Sequence, residues 1–232
     1  MSINDLAAAK IAACTKHIDT NPSDPEGYFS RGMEYMDVGE NELAVADFSE
    51  AIRLKPNDCD AYNNRGNAFD LLGKHQLAIE DFSKVIELDP SDINVYYNRG
   101  IAYYGLGEYL LAIKDYSRVI SANGNDVDAL IKRAAVSCEL GEYELAWGDY
   151  WSASRIAPTR FEGYYGQAQA QLNLNELDAA LDNITKAIKL NPDFADSYSL
   201  RAEIYHDLGK LDLATADKET EKNLRSKKTS HD

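Results

Sequence analysis

The sequence predicts an all-α protein in which one helical hairpin is repeated and the copies stack into a solenoid. Two observations carry this prediction. Prolines recur at an interval of 34 residues, at Pro22, Pro56 and Pro90 and again at Pro158 and Pro192. Apolar residues inside each interval follow a helical spacing, in two segments separated by a glycine or an asparagine. A fixed period of this length is typical of repeat architectures.

Alignment of the chain from Pro25 gives six copies, and repeat positions are counted from the first residue of each copy. Position 20 is alanine in all six copies. The copies span residues 25–58, 59–92, 93–126, 127–160, 161–194 and 195–228.

Each copy is predicted to contain two helices. Apolar residues at positions 4, 8 and 11 define the first helix, which ends at a glycine or asparagine at position 15. Apolar residues at positions 20, 24 and 27 define the second, which a proline at position 32 cannot continue. Small residues at positions 8 and 20 let the two backbones approach closely, and rings at positions 4, 11 and 24 fill the space around them. Because one hairpin cannot bury both of its faces, the copies must stack.

The two ends of the chain differ from the repeats. Residues 4–19 align with a second helix that lacks its first, so 1–24 is predicted to be a half-repeat that caps the N-terminal end. In the sixth copy, Lys218 and Glu221 replace the apolar residues at positions 24 and 27, which gives the polar outer face that a terminal repeat needs. The last residues, SKKTSHD, are predicted to be disordered, and 229–232 form a tail beyond the sixth copy.

Arginine at position 7 and aspartate at position 23 occur together in five copies. The fifth copy has lost both and carries Gln167 and Asn183 instead. Pairing within a copy leaves no charge unmatched, whereas pairing with the next copy would leave Asp149 opposite Gln167. We therefore predict ion pairs within copies rather than a row of free arginines for phosphate or carboxylate ligands. The predicted pairs are Arg31–Asp47, Arg65–Asp81, Arg99–Asp115, Arg133–Asp149 and Arg201–Asp217.

The composition narrows the classes of partner and compartment. The chain of 232 residues has 39 acidic and 24 basic side chains, a net charge of −15. This charge predicts no nucleic-acid partner, because phosphate binding requires basic surface, and no stretch is apolar enough for membrane insertion. The three cysteines form no CxxC pair, which predicts neither a disulfide framework nor a zinc site and favours a cytoplasmic location.

Catalytic motifs are absent from the sequence. It contains no GxxxxGK[ST], HExxH or GxSxG, and its four histidines are dispersed. His206 and Asp207 are adjacent on a predicted helix and so point about 100° apart, while Cys138 has no paired histidine. We predict that the protein is not an enzyme and has no catalytic residues, cofactor or metal.

Two stretches carry a resemblance to a known family: AYNNRGNAFDLLGKHQLAIEDFSKVIELDP and VYYNRGIAYYGLGEYLLAIKDYSRVI. They resemble the tetratricopeptide repeat, and the resemblance extends from residue 25 to about residue 225. It implies a right-handed superhelical solenoid whose first helices line a concave groove, with positions 2, 5, 6, 9, 12 and 13 facing inward. It also implies a non-catalytic scaffold that binds a peptide or helical segment of a partner protein in that groove.

The inward positions supply the candidate binding residues. Asn64 and Asn98 share position 6, where a side-chain amide can hydrogen-bond both edges of an extended peptide backbone. Packing of the apolar candidates by neighbouring helices remains the alternative. The partner-binding candidates are Phe29, Met33, Asn64, Asn67, Tyr97, Asn98, Ile101, Lys132 and Tyr165.

Some family members clamp an acidic C-terminus with lysines and asparagines. In the best alignment, three of the five clamp positions of this chain match the family. Each of the two positions that differ lacks the expected lysine, and one of them carries an acid instead. Repulsion of an acidic tail argues against that adaptor function. The five aligned residues are Asn63, Asn67, Asn98, Asp128 and Lys132.

A second function remains open, that of a structural subunit which assembles through convex or terminal surfaces. Trp147 and Trp151 are four residues apart on one predicted helix and share a face, which suggests self-association there. Packing by neighbouring side chains is the alternative for this pair. Ser137 and Gln171 replace the ring at position 11, so either a polar pocket or looser packing is expected nearby.

Overall fold

The computed structural model describes residues 3–229, with side chains for residues 6–227. The secondary structure of this part of the chain consists of helices joined by short turns and contains no strand, so the all-α hairpin prediction is confirmed. The helices are α1 (Ile3–Thr20), α2 (Pro25–Asp37), α3 (Asn41–Leu54), α4 (Cys59–Leu71), α5 (His75–Leu88), α6 (Ile93–Gly105), α7 (Tyr109–Ala122), α8 (Val127–Glu139), α9 (Tyr143–Ile156), α10 (Phe161–Asn173), α11 (Leu177–Leu190), α12 (Ala195–Asp207) and α13 (Leu211–Thr229).

The chain divides after Arg118 into two compact units. In the first unit, each of the helices α1 to α6 packs on the next, and the first helices of successive hairpins lie side by side, α2 against α4 and α4 against α6. In the second unit, helices α8 to α13 pack in the same sequential way, with α8 against α10 and α10 against α12. We call the first helices of the copies the inner helices.

Local signals fix the ends of the helices. Asp24, Asp58, Asp92 and Asp126 precede inner helices and accept hydrogen bonds from backbone N–H groups of the first turn. Position 15 is left-handed where described, and the one non-glycine there, Asn175, has φ 60°. The predicted turn residue is therefore confirmed, and each inner helix ends where the sequence indicated.

The ring at position 24 packs against a glycine in the first three copies. A Cβ on Gly66 would lie 2.7 Å from Cε1 of Phe82, and Gly32 and Gly100 are equally close to their own rings. The fourth copy has alanine at position 8, and there the Tyr150 ring lies instead against Gly166 on the next inner helix. In each of these four copies the ring therefore packs against a glycine, either in its own copy or in the next.

The five predicted ion pairs are all present within their copies. Each is bidentate, with N–O distances from 2.7 to 2.9 Å. The aspartates are buried or nearly so; the side chain of Asp81 is 7% exposed and that of Arg65 is 20% exposed. The pairs join the two helices of a hairpin, as predicted.

In the first unit these arginines make a further contact that the sequence analysis missed. Each donates through Nη1 to a hydroxyl at position 25 of the preceding copy, at 3.0 to 3.1 Å. One guanidinium therefore connects two successive copies as well as two helices. The acceptors are Thr15, Ser49 and Ser83.

The fifth copy replaces the ion pair by a network of amides. Buried Gln167 donates to Ser154 Oγ at 3.0 Å and to the Gly163 carbonyl, and Asn183 donates to Gln171 Oε1 at 2.7 Å. Gln167 and Gln171 are both buried. The buried amides are therefore hydrogen-bonded in two sets, one around Gln167 and one around Gln171.

The two ends conform to the expectation only in part. Helix α1 packs on α2, where Ile18 is buried and a Cβ on Gly27 would lie 2.9 Å from the His17 ring. Helix α13 has 19 residues where the other second helices have 14, and Lys218 is exposed on it. The expected disorder is wrong for residues 226–229, which continue this helix; residues 230–232 of the predicted tail lie outside the described residues.

Candidate partner-binding surface

The amide candidates of the first unit lie together on neighbouring inner helices. Asn98 on α6 donates through Nδ2 to Asn63 Oδ1 on α4 at 3.2 Å, which places positions 5 and 6 of adjacent copies on one face. Asn64 donates through Nδ2 to the Asp60 carbonyl of its own helix at 2.8 Å. Asn98 and Asn64 thus each use one N–H internally and keep a second N–H and the side-chain carbonyl for a ligand, whereas Asn63 uses its carbonyl and keeps its N–H groups. Asn67 is half-buried on the same helix.

The apolar candidates of this unit are half-buried and packed by neighbours. The Phe29 ring lies 5.7 Å from Phe48 and the Tyr97 ring 5.8 Å from Tyr116, so position 5 covers the ring at position 24. Met33 packs on the cluster that contains Phe48. Ile101 is half-buried on α6. Packing therefore accounts for much of this apolar surface.

The two candidates in the second unit differ in chemistry and in exposure. Lys132 is exposed on α8, and Tyr165 on α10 contacts Phe194 edge-on at 5.4 Å. Burial raises the pKa of the Tyr165 phenol. Asp128, the acid in the incomplete clamp, forms an ion pair with Arg160 at 2.8 Å and so has a structural role of its own.

The two tryptophans differ in exposure. Trp151 is 41% exposed, with Arg155 stacked over its indole at 4.7 Å. Trp147 is half-buried in the cluster that contains Tyr150, with the two indoles stacked at 6.3 Å. The expectation of an exposed pair is therefore met only by Trp151, which occupies position 25, where earlier copies carry the hydroxyl that an arginine binds.

The potential reactive groups that the sequence analysis considered, Cys138 and His206, lie on different helices, α8 and α12. No group of three possible metal ligands occurs in the part of the chain that the structure describes, and none of the helices there is long and apolar enough to cross a membrane. Burial raises the pKa of the Cys138 thiol to about 11, which keeps it protonated at neutral pH. His206 and Asp207 are exposed at the surface, with Nδ1 and Oδ1 3.2 Å apart.

Family models for tetratricopeptide repeats match along the chain. A model described as tetratricopeptide repeat matches residues 59–92 and 93–126, a TPR repeat model matches 32–73, and a second tetratricopeptide repeat model matches 165–219. No curated protein matches the chain by sequence. The matched segments contain copies from both compact units.

Solved structures show the same fold. A tetratricopeptide repeat protein from Parabacteroides merdae is 20% identical, with 94% of this chain and 90% of that one covered and a TM-score of 0.73. YrrB, a TPR protein with an unusual peptide-binding site, is 23% identical over 80% of this chain and 95% of its own, with a TM-score of 0.68. MamA is 24% identical over 74% and 94%, also with a TM-score of 0.68.

Proposed function

Because the chain belongs to the tetratricopeptide repeat family, we propose that it is a non-catalytic scaffold that binds an extended peptide segment of a partner protein. Folds of this family are typical of protein–protein interaction. The binding surface that we propose is the face of α2, α4 and α6 that carries the asparagine amides. Lys132 and Tyr165, on inner helices of the second unit, are candidate binding residues of that unit by itself.

One observation carries the proposal, the contact between Asn98 and Asn63. It brings side-chain amides from adjacent copies together, and a polar cluster at a half-buried surface gains most when its spare donors and acceptors are used. A peptide backbone offers alternating N–H and C=O groups and so complements amides without a particular sequence. The half-buried rings of Phe29 and Tyr97 would then contact the peptide side chains.

Loss of two amides is expected to weaken peptide binding about 10-fold or more. We would immobilise the protein, select binders from a phage library of random dodecapeptides, and measure their affinity by fluorescence anisotropy. The variant is Asn64→Ala/Asn98→Ala. The matched control is Asn57→Ala/Asn223→Ala, which removes two exposed amides from outside the inner helices. Equal affinity of the first variant and the wild type would contradict the proposal.

A second candidate function, self-association as a structural subunit, is favoured by the exposure of Trp151. A large exposed indole stands here at a position that is serine in the first three copies, and exposed tryptophans are frequent anchors of protein–protein contacts. The indole of Trp147 stacks against that of Trp151 and so helps to fix its orientation.

If Trp151 mediates self-association, Trp151→Ser should convert an oligomer into a monomer in sedimentation velocity measurements over a concentration series. The substitution restores the residue type of other copies at this position, so the fold should be retained. Leu110→Ser, which removes another exposed apolar side chain, serves as the control and should leave the oligomer intact. A wild-type protein that sediments as a monomer throughout would refute this function.

A further inference from the structure

We infer that the face formed by α2, α4 and α6 selects a basic peptide, one that carries lysine or arginine side chains. This inference rests on the proposed function, and it goes further by naming the chemistry of the segment bound. The asparagine amides would hold the backbone of the peptide, while carboxylates at both ends of the inner helices would hold its basic side chains.

The charged residues at the inward positions of these three helices are all acidic. No lysine, arginine or histidine occupies positions 2, 5, 6, 9, 12 or 13 of the first three copies, whereas four of these positions are acidic. Two of the acids lie at the N-terminal ends of inner helices and two at the C-terminal ends, with the amides between them. The four are Glu26, Asp60, Asp37 and Asp70.

Helix stability explains only part of this arrangement. Glu26 and Asp60 lie in first turns, where the helix dipole favours an acid. Asp37 is the last residue of α2, where the dipole disfavours one, and Asp70 lies in the last turn of α4. Asp70 is compensated by His75, whose Nδ1 lies 2.7 Å from Oδ1. Asp37 is exposed and has no hydrogen bond or ion pair among the described side chains; the charge of Lys10 acts on it only from beyond ion-pair distance, so a ligand cation would improve its environment.

Five basic side chains of this unit are already engaged by its own acids. Arg31, Arg65 and Arg99 are held by the buried aspartates of their own copies. Lys10 donates to Glu34 at 2.9 Å, and Lys55 to Asp58 at 2.8 Å. The inner positions of the first three copies therefore carry a net negative charge, which attracts a basic segment and repels an acidic one.

The test compares the peptides that different variants select from the phage library of random dodecapeptides. The wild type should enrich peptides with positive mean net charge. Asp37→Asn/Asp60→Asn should lose this enrichment, and the affinity of the best wild-type peptide should fall roughly 3- to 10-fold, as expected for two exposed ion pairs. Added salt should weaken wild-type binding, because these charges are solvent-accessible. The matched control, Glu80→Gln/Glu87→Gln, removes the same charge from the second helix α5 and should behave as the wild type.

The outcomes separate this inference from the proposed function. Peptides that lose affinity for Asn64→Ala/Asn98→Ala but show no charge preference would overturn the inference and leave peptide binding standing. A charge preference that the control variant loses as much as Asp37→Asn/Asp60→Asn would also overturn it, since net charge alone would then explain the selection. No enrichment by the wild type, or enrichment indifferent to both asparagines, would refute the proposed function itself.

Discussion

Replacement of Arg65 by methionine is expected to lower the free energy of unfolding by about 3–5 kcal/mol, the usual cost of removing one partner of a buried ion pair. The substitution leaves the Asp81 carboxylate buried without its two N–H donors. It also removes the hydrogen bond from Arg65 Nη1 to Ser49 Oγ, so this contact with the preceding copy is lost as well. Urea denaturation followed by circular dichroism would measure the change.

Two control variants distinguish burial from charge. Arg53→Met removes an arginine that pairs with Glu50 at the surface, and it should leave the free energy of unfolding nearly unchanged. Arg65→Met/Asp81→Leu removes both members of the buried pair and should recover most of the stability. If Arg65→Met were as mild as Arg53→Met, the ion pairs would contribute little to holding the hairpins together.

The cost of Arg65→Met should depend on pH. Burial raises the pKa of the Asp81 carboxyl, and Arg65 opposes that rise. Without the arginine the folded-state pKa rises further above the unfolded value. A raised pKa contributes stability that is present below the unfolded pKa and is lost as pH rises through the folded pKa. The deficit of the variant relative to the wild type should therefore be largest at neutral pH and shrink towards pH ~4.

The ion pairs were predictable because arginine at position 7 and aspartate at position 23 occur together in five copies and are lost together in the remaining one. Only pairing within a copy leaves no charge unmatched. The helices were predictable for a similar reason, since the apolar period and the glycine or asparagine at position 15 recur along the chain, with departures at position 11 of the fourth and fifth copies and in the second helix of the sixth. The hydroxyl acceptors were missed because a serine or threonine at position 25 looks like any exposed polar residue. Its repetition at Ser49 and Ser83 was the available signal, and the replacement by Trp151 where Arg gives way to Gln167 was a second one.

The binding surface was harder to predict than the fold. Repeat position told which side chains face inward, but not how deeply neighbours cover them. Phe29 and Met33 appear as groove residues by position, and in the structure they pack on the core cluster of their own copy. The amide contact between Asn98 and Asn63 joins two copies, and it depends on how close adjacent inner helices lie, a distance that no single repeat encodes.

Truncation of the ring at position 24 is expected to be as costly as loss of an ion pair. Phe82 is 1% exposed and contacts residues of its own copy and of the next, including Val95. Phe82→Ala should lower the free energy of unfolding by about 3–5 kcal/mol, because it opens a cavity at the crossing of α4 and α5. The same urea denaturation would measure it.

The effect of Gly66→Ala should reverse sign between two backgrounds. In the wild type the new methyl group would lie 2.7 Å from the Phe82 ring, which must shift, and overpacking of this kind costs about 1–3 kcal/mol. In the Phe82→Ala background the methyl group fits the vacated space, so the better helix propensity of alanine should stabilise the protein by about 1 kcal/mol. Gly148→Ala is the matched control. No neighbouring atom lies within 4 Å of the position that a Cβ on this helical glycine would occupy, so the substitution should stabilise the otherwise wild-type protein. Gly66→Ala that stabilises both backgrounds would mean that glycine is not required for the ring to fit, and that the hairpins can separate to accommodate a side chain.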